Sequence, residues 1–369
     1  MTMQVQAAVC RATGAPLSIE NLQLGEPRDD EVLVRVVATG ICHTDIGMRE
    51  SPSRVPKPIV LGHEGAGIVE KTGRSVRKVQ AGDHVVMSFN TCGHCSSCYQ
   101  GHTAYCSQLG RLNFGGQRDD GTTAFSGPDT GVHSHFFGQS SFATYAICSQ
   151  RNAIPVRKDI PLEILGPLGC GIQTGAGAVL NSLNVRPGAS LGVFGAGSVG
   201  LAAIMAARLA GASVIIAVDT QPSRLDIAIE LGATHVINAA QEDTFSRIQA
   251  IAGHGLDFAL DTTGNLHVIR QAVEHLGVRG VCGLINTAKG ADASVNILNM
   301  VLGGKSVKGI HQGDSNPDTF IPQLTEYYAQ GRFPFDRLIR FYALADINAA
   351  MADMENGQTI KPVIRMPAL

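Results

Sequence analysis

Ser190-Leu191-Gly192-Val193-Phe194-Gly195-Ala196-Gly197-Ser198-Val199-Gly200-Leu201 decides the fold. An apolar run leads into three glycines spaced G-x-G-x-x-G, and the stretch that follows, LAAIMAARLAG, has the apolar spacing of a helix. A glycine-rich turn alone is weak evidence. Set between a strand and a helix it gains a physical reading. Gly195 makes the turn, Gly197 lets a pyrophosphate approach the backbone, and Gly200 lets the helix pack close to the strand. The helix start then offers unpaired N–H groups and a positive dipole end to phosphates. The next strand-like run, VIIAVD, ends on Asp219, about 20 residues downstream, where a carboxylate accepts ribose hydroxyls. The competing reading is a tight turn with an incidental surface acid.

Working outward, strand-like runs alternate with helix-like ones from Ile172 onward: SVIIAVD, HVIN, LDFALDTTG and GVCGLIN, separated by SRLDIAIELG and the stretch around HVIRQAVEHLG. Such alternation predicts a parallel sheet covered on both faces. Upstream the texture differs, with short β-branched strands in EVLVRVVATG, GAGIVEKTG and AGDHVVM, and a polar, glycine-rich stretch from Asn113 to Ser141 that reads as a long surface loop. After Ile310 the chain is mixed again, and TFIPQLTEYYAQG reads as a helix. The predicted fold class is α/β: a β-rich domain in residues 1–171, an inserted nucleotide-binding domain in 172–309, and a return to the first domain in 310–369. Asp219 favours NAD, because a carboxylate repels a 2′-phosphate; Arg224 is near, as in sites for a 2′-phosphate, but reads equally as a contact to the adenosine ribose.

Composition narrows the partners. Charged residues make up 16% of the 369 and the net charge is −2, which gives no positive field for nucleic acid or anionic lipid. Hydrophobic residues at 44% exclude global disorder, and 43 glycines imply many tight turns or close approaches. The uncharged stretch between Arg186 and Arg208 holds too many glycines for a membrane span and reads as a buried strand, turn and helix. The start MTMQVQAAVC lacks a basic flank before an apolar run, so a reducing, cytoplasmic setting is expected. There, clustered cysteines point to metal or catalysis.

Cys92-x2-Cys95-x2-Cys98-x7-Cys106 has that character. Four thiolates in a short loop close a tetrahedral zinc site with no open position, a structural site. Iron–sulfur, a redox dithiol and unligated thiols are the alternatives; no second redox motif accompanies the four, and zinc is favoured. Cys42 in GICHTD, His63 in LGHEG and Cys170 in PLGCGIQTG are scattered, and each taken singly reads equally as a packed cysteine or a turn histidine. Together, two soft thiolates and an imidazole suit zinc and leave a fourth position for substrate. Asp45 and Glu64 are candidate carboxylates behind such ligands, or ordinary solvated acids.

GICHTD, LGHEGAGIVE, AGDHVV, the four-cysteine loop, GCGIQTGAGAV, VFGAGSVGL and AVD occur in the order seen in zinc-dependent medium-chain alcohol dehydrogenases, which the whole chain resembles. The resemblance implies a GroES-like β-rich catalytic domain enclosing a Rossmann domain, an active site in the cleft between them, and a catalytic zinc on Cys42, His63 and Cys170. With the four-cysteine site that makes two zinc ions per subunit. It implies hydride transfer from an alcohol to NAD, with Thr44 relaying the alcohol proton, Lys361 pairing with the cofactor pyrophosphate, and Thr174 in GCGIQTGAG at the cofactor. His43 falls where several relatives carry an arginine on the pyrophosphate. Gly47 falls where the liver-type enzymes carry the histidine that ends the proton relay, so His43 is a candidate for phosphate or proton duty. Phe89, Leu112, Phe136, Phe137 and Ile285 align with substrate-cleft positions, Phe136 and Phe137 reading equally as core.

GCGIQTGAG and the C-terminal HQGDSNPDTFIPQLTEYYAQGRFPFDRLI look most like the aryl- or benzyl-alcohol dehydrogenase branch, implying a primary aromatic or allylic alcohol as substrate. The nearest rival is S-(hydroxymethyl)glutathione (formaldehyde) dehydrogenase or a broad primary-alcohol dehydrogenase. A non-catalytic NAD-binding zinc sensor would be expected to lose zinc ligands or Thr44, and none is lost. A homodimer or homotetramer is expected by analogy, with neither nucleic acid nor membrane as partner.

Overall fold

The structure is a computed structural model describing residues 2–127, 131–286 and 290–367. The chain divides into two compact units. One runs through Cys170 and takes in Asn316–Ala329 and the chain from Asp336 onward; the other is Gly171–Ser315 with Gln330–Phe335.

In the first unit the described residues form two sheets. One has the order Ile59–Val60, Met3–Cys10, Ser18–Leu24, Phe125–Ser126, Gly131–Val132, every pair antiparallel. The other runs Ala153–Pro155, His84–Met87, Glu64–Thr72, Glu31–Gly40, Lys361–Arg365, Ile339–Ala343, with Tyr145–Ser149 also paired to Glu31–Gly40. Glu31–Gly40 is its central strand. EVLVRVVATG is buried on both faces, which is why it is nearly continuously apolar rather than alternating. Its register places the site. Gly40 pairs with Glu64 and Thr39 with Gly65, so Cys42, just past one strand, meets His63, just before the other. Val363 pairs with Gly40 on the opposite edge, which brings Lys361 to the same corner.

The expected surface loop from Asn113 to Ser141 is a correction. Residues 128–130 lie outside the described residues. Of the rest, Phe125–Ser126 and Gly131–Val132 join the first sheet, and Asn113, Ser134, Phe136, Gln139, Ser140 and Ser141 are buried. Its polar side chains serve buried backbone instead of water: Ser140 Oγ donates to the Val60 carbonyl at 2.6 Å, and Ser134 Oγ accepts from the Ala124 N–H at 2.9 Å.

The second unit carries one parallel sheet in the order His235–Asn238, Val214–Asp219, Ser190–Phe194, Leu256–Asp261, Leu276–Leu284, Ser306–Gly309. In chain order that is 3-2-1-4-5-6, the doubly wound arrangement whose ligands sit beyond the C-terminal strand ends where the order reverses. Helices Ser198–Leu209, Pro222–Leu231, Thr244–Ala252 and Leu266–Glu274 alternate with its strands. Polar caps start two of them: Asp243 accepts from the Ser246 N–H, and Asn265 from the His267 and Val268 N–H groups. The uncharged stretch before Arg208 is a buried strand, a turn and a helix of 12 residues. No helix among the described residues is long and apolar enough to cross a membrane. The helix expected near TFIPQLTEYYAQG is Pro317–Ala329.

Candidate active site

Cys42, His63, Glu64 and Cys170 each offer a ligand atom, and the four atoms lie within 4.8 Å of one another. Three segments deliver them. The strand register sets Cys42 against His63 and Glu64, and the short turn Gly166–Gly169 packs on strands Glu64–Thr72 and His84–Met87 to present Cys170.

Asp45 binds this corner together. Its Oδ1 accepts from His63 Nδ1 at 2.9 Å and from the Gly62 N–H at 3.1 Å, and its Oδ2 accepts from the Cys42 N–H at 3.0 Å. His63 therefore turns Nε2 inward, where that atom is buried without a hydrogen-bond partner. Leaving a buried polar atom unmade costs about 1–3 kcal/mol, and a metal ion answers the deficit. Burial opposes a charge on His63, but Asp45 and Cys42 outweigh it and lift its pKa to about 10. Cys170 beside it, and then the charge of His63, hold Cys42 well below the ordinary thiol value against the effect of burial. A pocket that stabilises thiolate beside an imidazole is a donor set for a divalent cation.

Two residues have neighbours that the sequence does not show. Asp45 stands behind the histidine as expected, but Glu64 stands among the donors themselves. Lys361, expected at the cofactor pyrophosphate, is engaged within the first unit. It is 1% exposed, and its ammonium donates to both Glu64 oxygens, at 3.0 and 2.9 Å, and to the Ile41 carbonyl at 3.0 Å. The buried carboxylate of Glu64 is the physical reason: an unpaired charge there would be prohibitive, and Lys361 neutralises it.

Thr44 sits at the second position of helix His43–Glu50, its Oγ1 3.8 Å from Cys42 Sγ. His43 is exposed at the first position, and Gly47 faces open space. Of the residues expected at the substrate, Phe137 lies flat on the His63 ring, centroids 4.4 Å apart at 27°. Phe136, at 0% exposure, packs edge-on to His63 and Phe137, and both phenylalanines belong to the hydrophobic core, the other reading the sequence allows for them. Phe89 is also in that core, Leu112 is half-buried, and Ile285 is half-buried in the second unit. Phe137 is held by a left-handed backbone, with φ of 60° at His135, 51° at Phe137 and 53° at Ser140. Each such residue costs on the order of 1–3 kcal/mol, so the surroundings must hold them there.

Cys92, Cys95, Cys98 and Cys106 form a second cluster with ligand atoms within 4.8 Å. Backbone N–H groups of Cys92 and Gln108 point at Cys106 Sγ, at 3.3 and 3.4 Å. Four sulfurs leave no vacancy, as a structural zinc requires.

In the second unit Gly195 has φ of +95°, and a Cβ at Gly200 would come within 1.9 Å of the Gly195 carbonyl, so both positions demand glycine. A Cβ at Gly197 would meet nothing within 4 Å, which leaves open space at the start of helix Ser198–Leu209. Asp219 accepts at Oδ2 from the Ala196 N–H and at Oδ1 from the Thr220 and Gln221 N–H groups. Arg224 lies 3.8 Å from Asp219, its Nε buried without a partner. A dinucleotide fits this open turn, uncapped helix end and oriented carboxylate. Thr174 is buried nearby in sequence to Cys170, its hydroxyl 3.4 Å from Gln312 Oε1. Gln139, Ser88 and Asn152, which surround the first cluster, carry no signal in the sequence.

Residues 28–158 match the family model "Alcohol dehydrogenase GroES-like domain", and residues 198–327 match "Zinc-binding dehydrogenase". A geraniol dehydrogenase of Castellaniella defragrans is 45% identical over 365 residues, covering 98% of both chains. The crystal structure of benzyl alcohol dehydrogenase from Acinetobacter calcoaceticus superposes with a TM-score of 0.96 at 46% identity, covering 99% of this chain and all of that one. An alcohol dehydrogenase zinc-binding domain protein from Burkholderia ambifaria gives 0.98 at 55% identity over the full length of both. The chain belongs to the zinc-dependent medium-chain alcohol dehydrogenases. It has their GroES-like and Rossmann domains, and it is an oxidoreductase of alcohols.

Proposed function

We propose that this alcohol dehydrogenase interconverts a primary aromatic or allylic alcohol and its aldehyde, with NAD as hydride acceptor. The observation that carries the substrate class is the pair of relatives named for geraniol and for benzyl alcohol, each matched over nearly the whole chain. Both alcohols carry their hydroxyl on a carbon next to an unsaturated one.

Cys42, His63 and Cys170 would hold the catalytic zinc, and Cys92, Cys95, Cys98 and Cys106 the structural one. A bound zinc supplies Lewis acidity at the alcohol or aldehyde oxygen, and bound NAD supplies the hydride acceptor. Asp45 fixes the His63 ring so that only Nε2 faces the site. Phe137 covers one face of that ring and keeps water from it. The Thr44 hydroxyl accepts the alcohol proton and donates its own onward. Gly47 cannot extend that path, and exposed His43 is the titratable group left near it, either on phosphate or as terminal base. Asp219, already oriented by three amides, reads ribose hydroxyls and disfavours a 2′-phosphate.

A steady-state panel tests this reading. Benzyl alcohol and geraniol are expected to exceed ethanol in kcat/KM by about 100-fold, equivalent to roughly 3 kcal/mol of apolar burial. NAD is expected to exceed NADP. Equal rates with ethanol would sink the substrate class, a faster reaction with the glutathione adduct of formaldehyde would move the protein to that branch, and a preference for NADP would overturn the cofactor.

We further propose a homodimer joined through the second unit. Helix Ile297–Gly303 exposes Ile297, Leu298, Val301 and Leu302, and the adjacent edge strand Ser306–Gly309 is exposed along its whole length. An exposed edge strand beside an apolar patch is a template for pairing. Val301→Asp is expected to halve the mass seen by light scattering; an unchanged mass would reject this face.

A further inference from the structure

We propose that Gln139 and Ser88 are positioning residues that set the spacing between the segments carrying His63 and Cys170. The proposal rests on the zinc reading of that cluster. His63 and Cys170 are far apart in sequence, and Cys170 arrives on a short turn, not on a strand laddered to the one His63 precedes. A tetrahedral site tolerates errors of only about 0.2 Å in ligand distance, so something must tie the two segments.

A run of buried hydrogen bonds does so. Gln139 Nε2 donates to the His63 carbonyl at 3.0 Å and to the Ser88 carbonyl at 3.2 Å, while its Oε1 accepts from the Gly65 N–H at 3.1 Å. One carboxamide thus brackets His63 and Glu64 from both sides. Ser88 Oγ donates to the carbonyl of Gly169, the residue before Cys170, at 2.7 Å. Asn152 braces the middle, its Nδ2 donating to the Ser88 carbonyl at 2.8 Å and to the Phe137 carbonyl at 3.0 Å. The path His63–Gln139–Ser88–Gly169–Cys170 is continuous, and Gln139, Ser88 and Asn152 are all fully or almost fully buried. Gln139 cannot rotate without stranding the His63 carbonyl and the Gly65 amide. The left-handed residues His135, Phe137 and Ser140 flank it, and strain of this kind gathers where geometry is functional.

The test uses the zinc-loaded enzyme and compares wild type with Ser88→Ala and Gln139→Met. Zinc release to a chromogenic chelator is followed in time, the absorption bands of the cobalt-substituted protein are recorded, and melting is measured. Both variants are expected to release one zinc about 10- to 100-fold faster, in line with losses from other outer-sphere changes, while the second zinc leaves at the wild-type rate. The cobalt bands should shift. Wild-type release and bands in Ser88→Ala would overturn the proposal, as would equal acceleration of both metals with a fall in melting temperature. If Gln139→Met does not fold, Ser88→Ala decides alone. Cys170→Ser separates the two levels: if it loses no zinc relative to wild type, the metal reading fails and the proposal with it.

Discussion

Cys98→Ser is expected to leave one zinc per subunit and to lower the melting temperature by 10 °C or more, on the order of several kcal/mol. The segment from Cys92 to Cys106 has little else to hold it. Its helix, Ser96–Tyr99, buries no residue, Tyr99 and Tyr105 are exposed, and Ala104 is the buried apolar side chain between the cysteines. Without a core, the folding energy of this lobe is metal-binding energy. Serine cannot replace the thiolate that lies 3.9 Å from Cys92 Sγ. The chemical step is expected to change far less than the stability, because the cluster closes on itself. Metal analysis and calorimetry check this, and two zincs with unchanged melting in Cys98→Ser would reject a structural role.

Lys361→Met should destabilise the protein by about 3–5 kcal/mol, the usual cost of stranding a buried charge. The sign of its pH dependence follows from Glu64. Burial pushes that carboxyl up even with Lys361 beside it, and removing the ammonium pushes it further. A carboxyl whose folded pKa lies above its unfolded value is stable when protonated. The stability it lends is present below roughly pH 4 and is lost as pH rises toward its folded value, by about 1.4 kcal/mol per unit. The deficit of Lys361→Met against wild type should therefore stay level in acid and widen above about pH 7, where Glu64 ionises beside Lys361 in wild type but stays protonated in the variant. Adding Glu64→Gln should recover most of it. Thermal unfolding of the three proteins across pH provides the measurement. A normal melting curve with only a raised KM for NAD would instead return Lys361 to the pyrophosphate.

These two sites also mark how far the sequence could be read. The nucleotide half was legible because its signals are local: G-x-G-x-x-G, Asp219 and the alternation of runs all lie within one continuous stretch. The four-cysteine cluster was legible for the same reason. Cys42, His63 and Cys170 needed family resemblance, since a strand register and a distant turn bring them together. The pairing of Lys361 was not legible, because a lysine near the C-terminus gives no sign that Glu64, 297 positions away, will be buried against it. The stretch Asn113–Ser141 was misread because serine, glutamine and glycine look like loop whether they face water or buried carbonyls. No periodicity distinguishes the two cases.

Asp219 has a consequence for anyone who would re-engineer the enzyme. Its carboxylate is the acceptor for the Ala196 amide inside the glycine turn as well as for two amides of its own loop. On the proposed NAD reading, exchanging it for a neutral residue to admit a 2′-phosphate would remove the repulsion and, in the same stroke, unpin the glycine turn through Ala196. The arginine needed for the new phosphate already leans on Asp219 through Arg224 and would be set loose as well. Coenzyme switching in this scaffold therefore calls for a redesigned loop with a substitute acceptor for Ala196, not a single exchange.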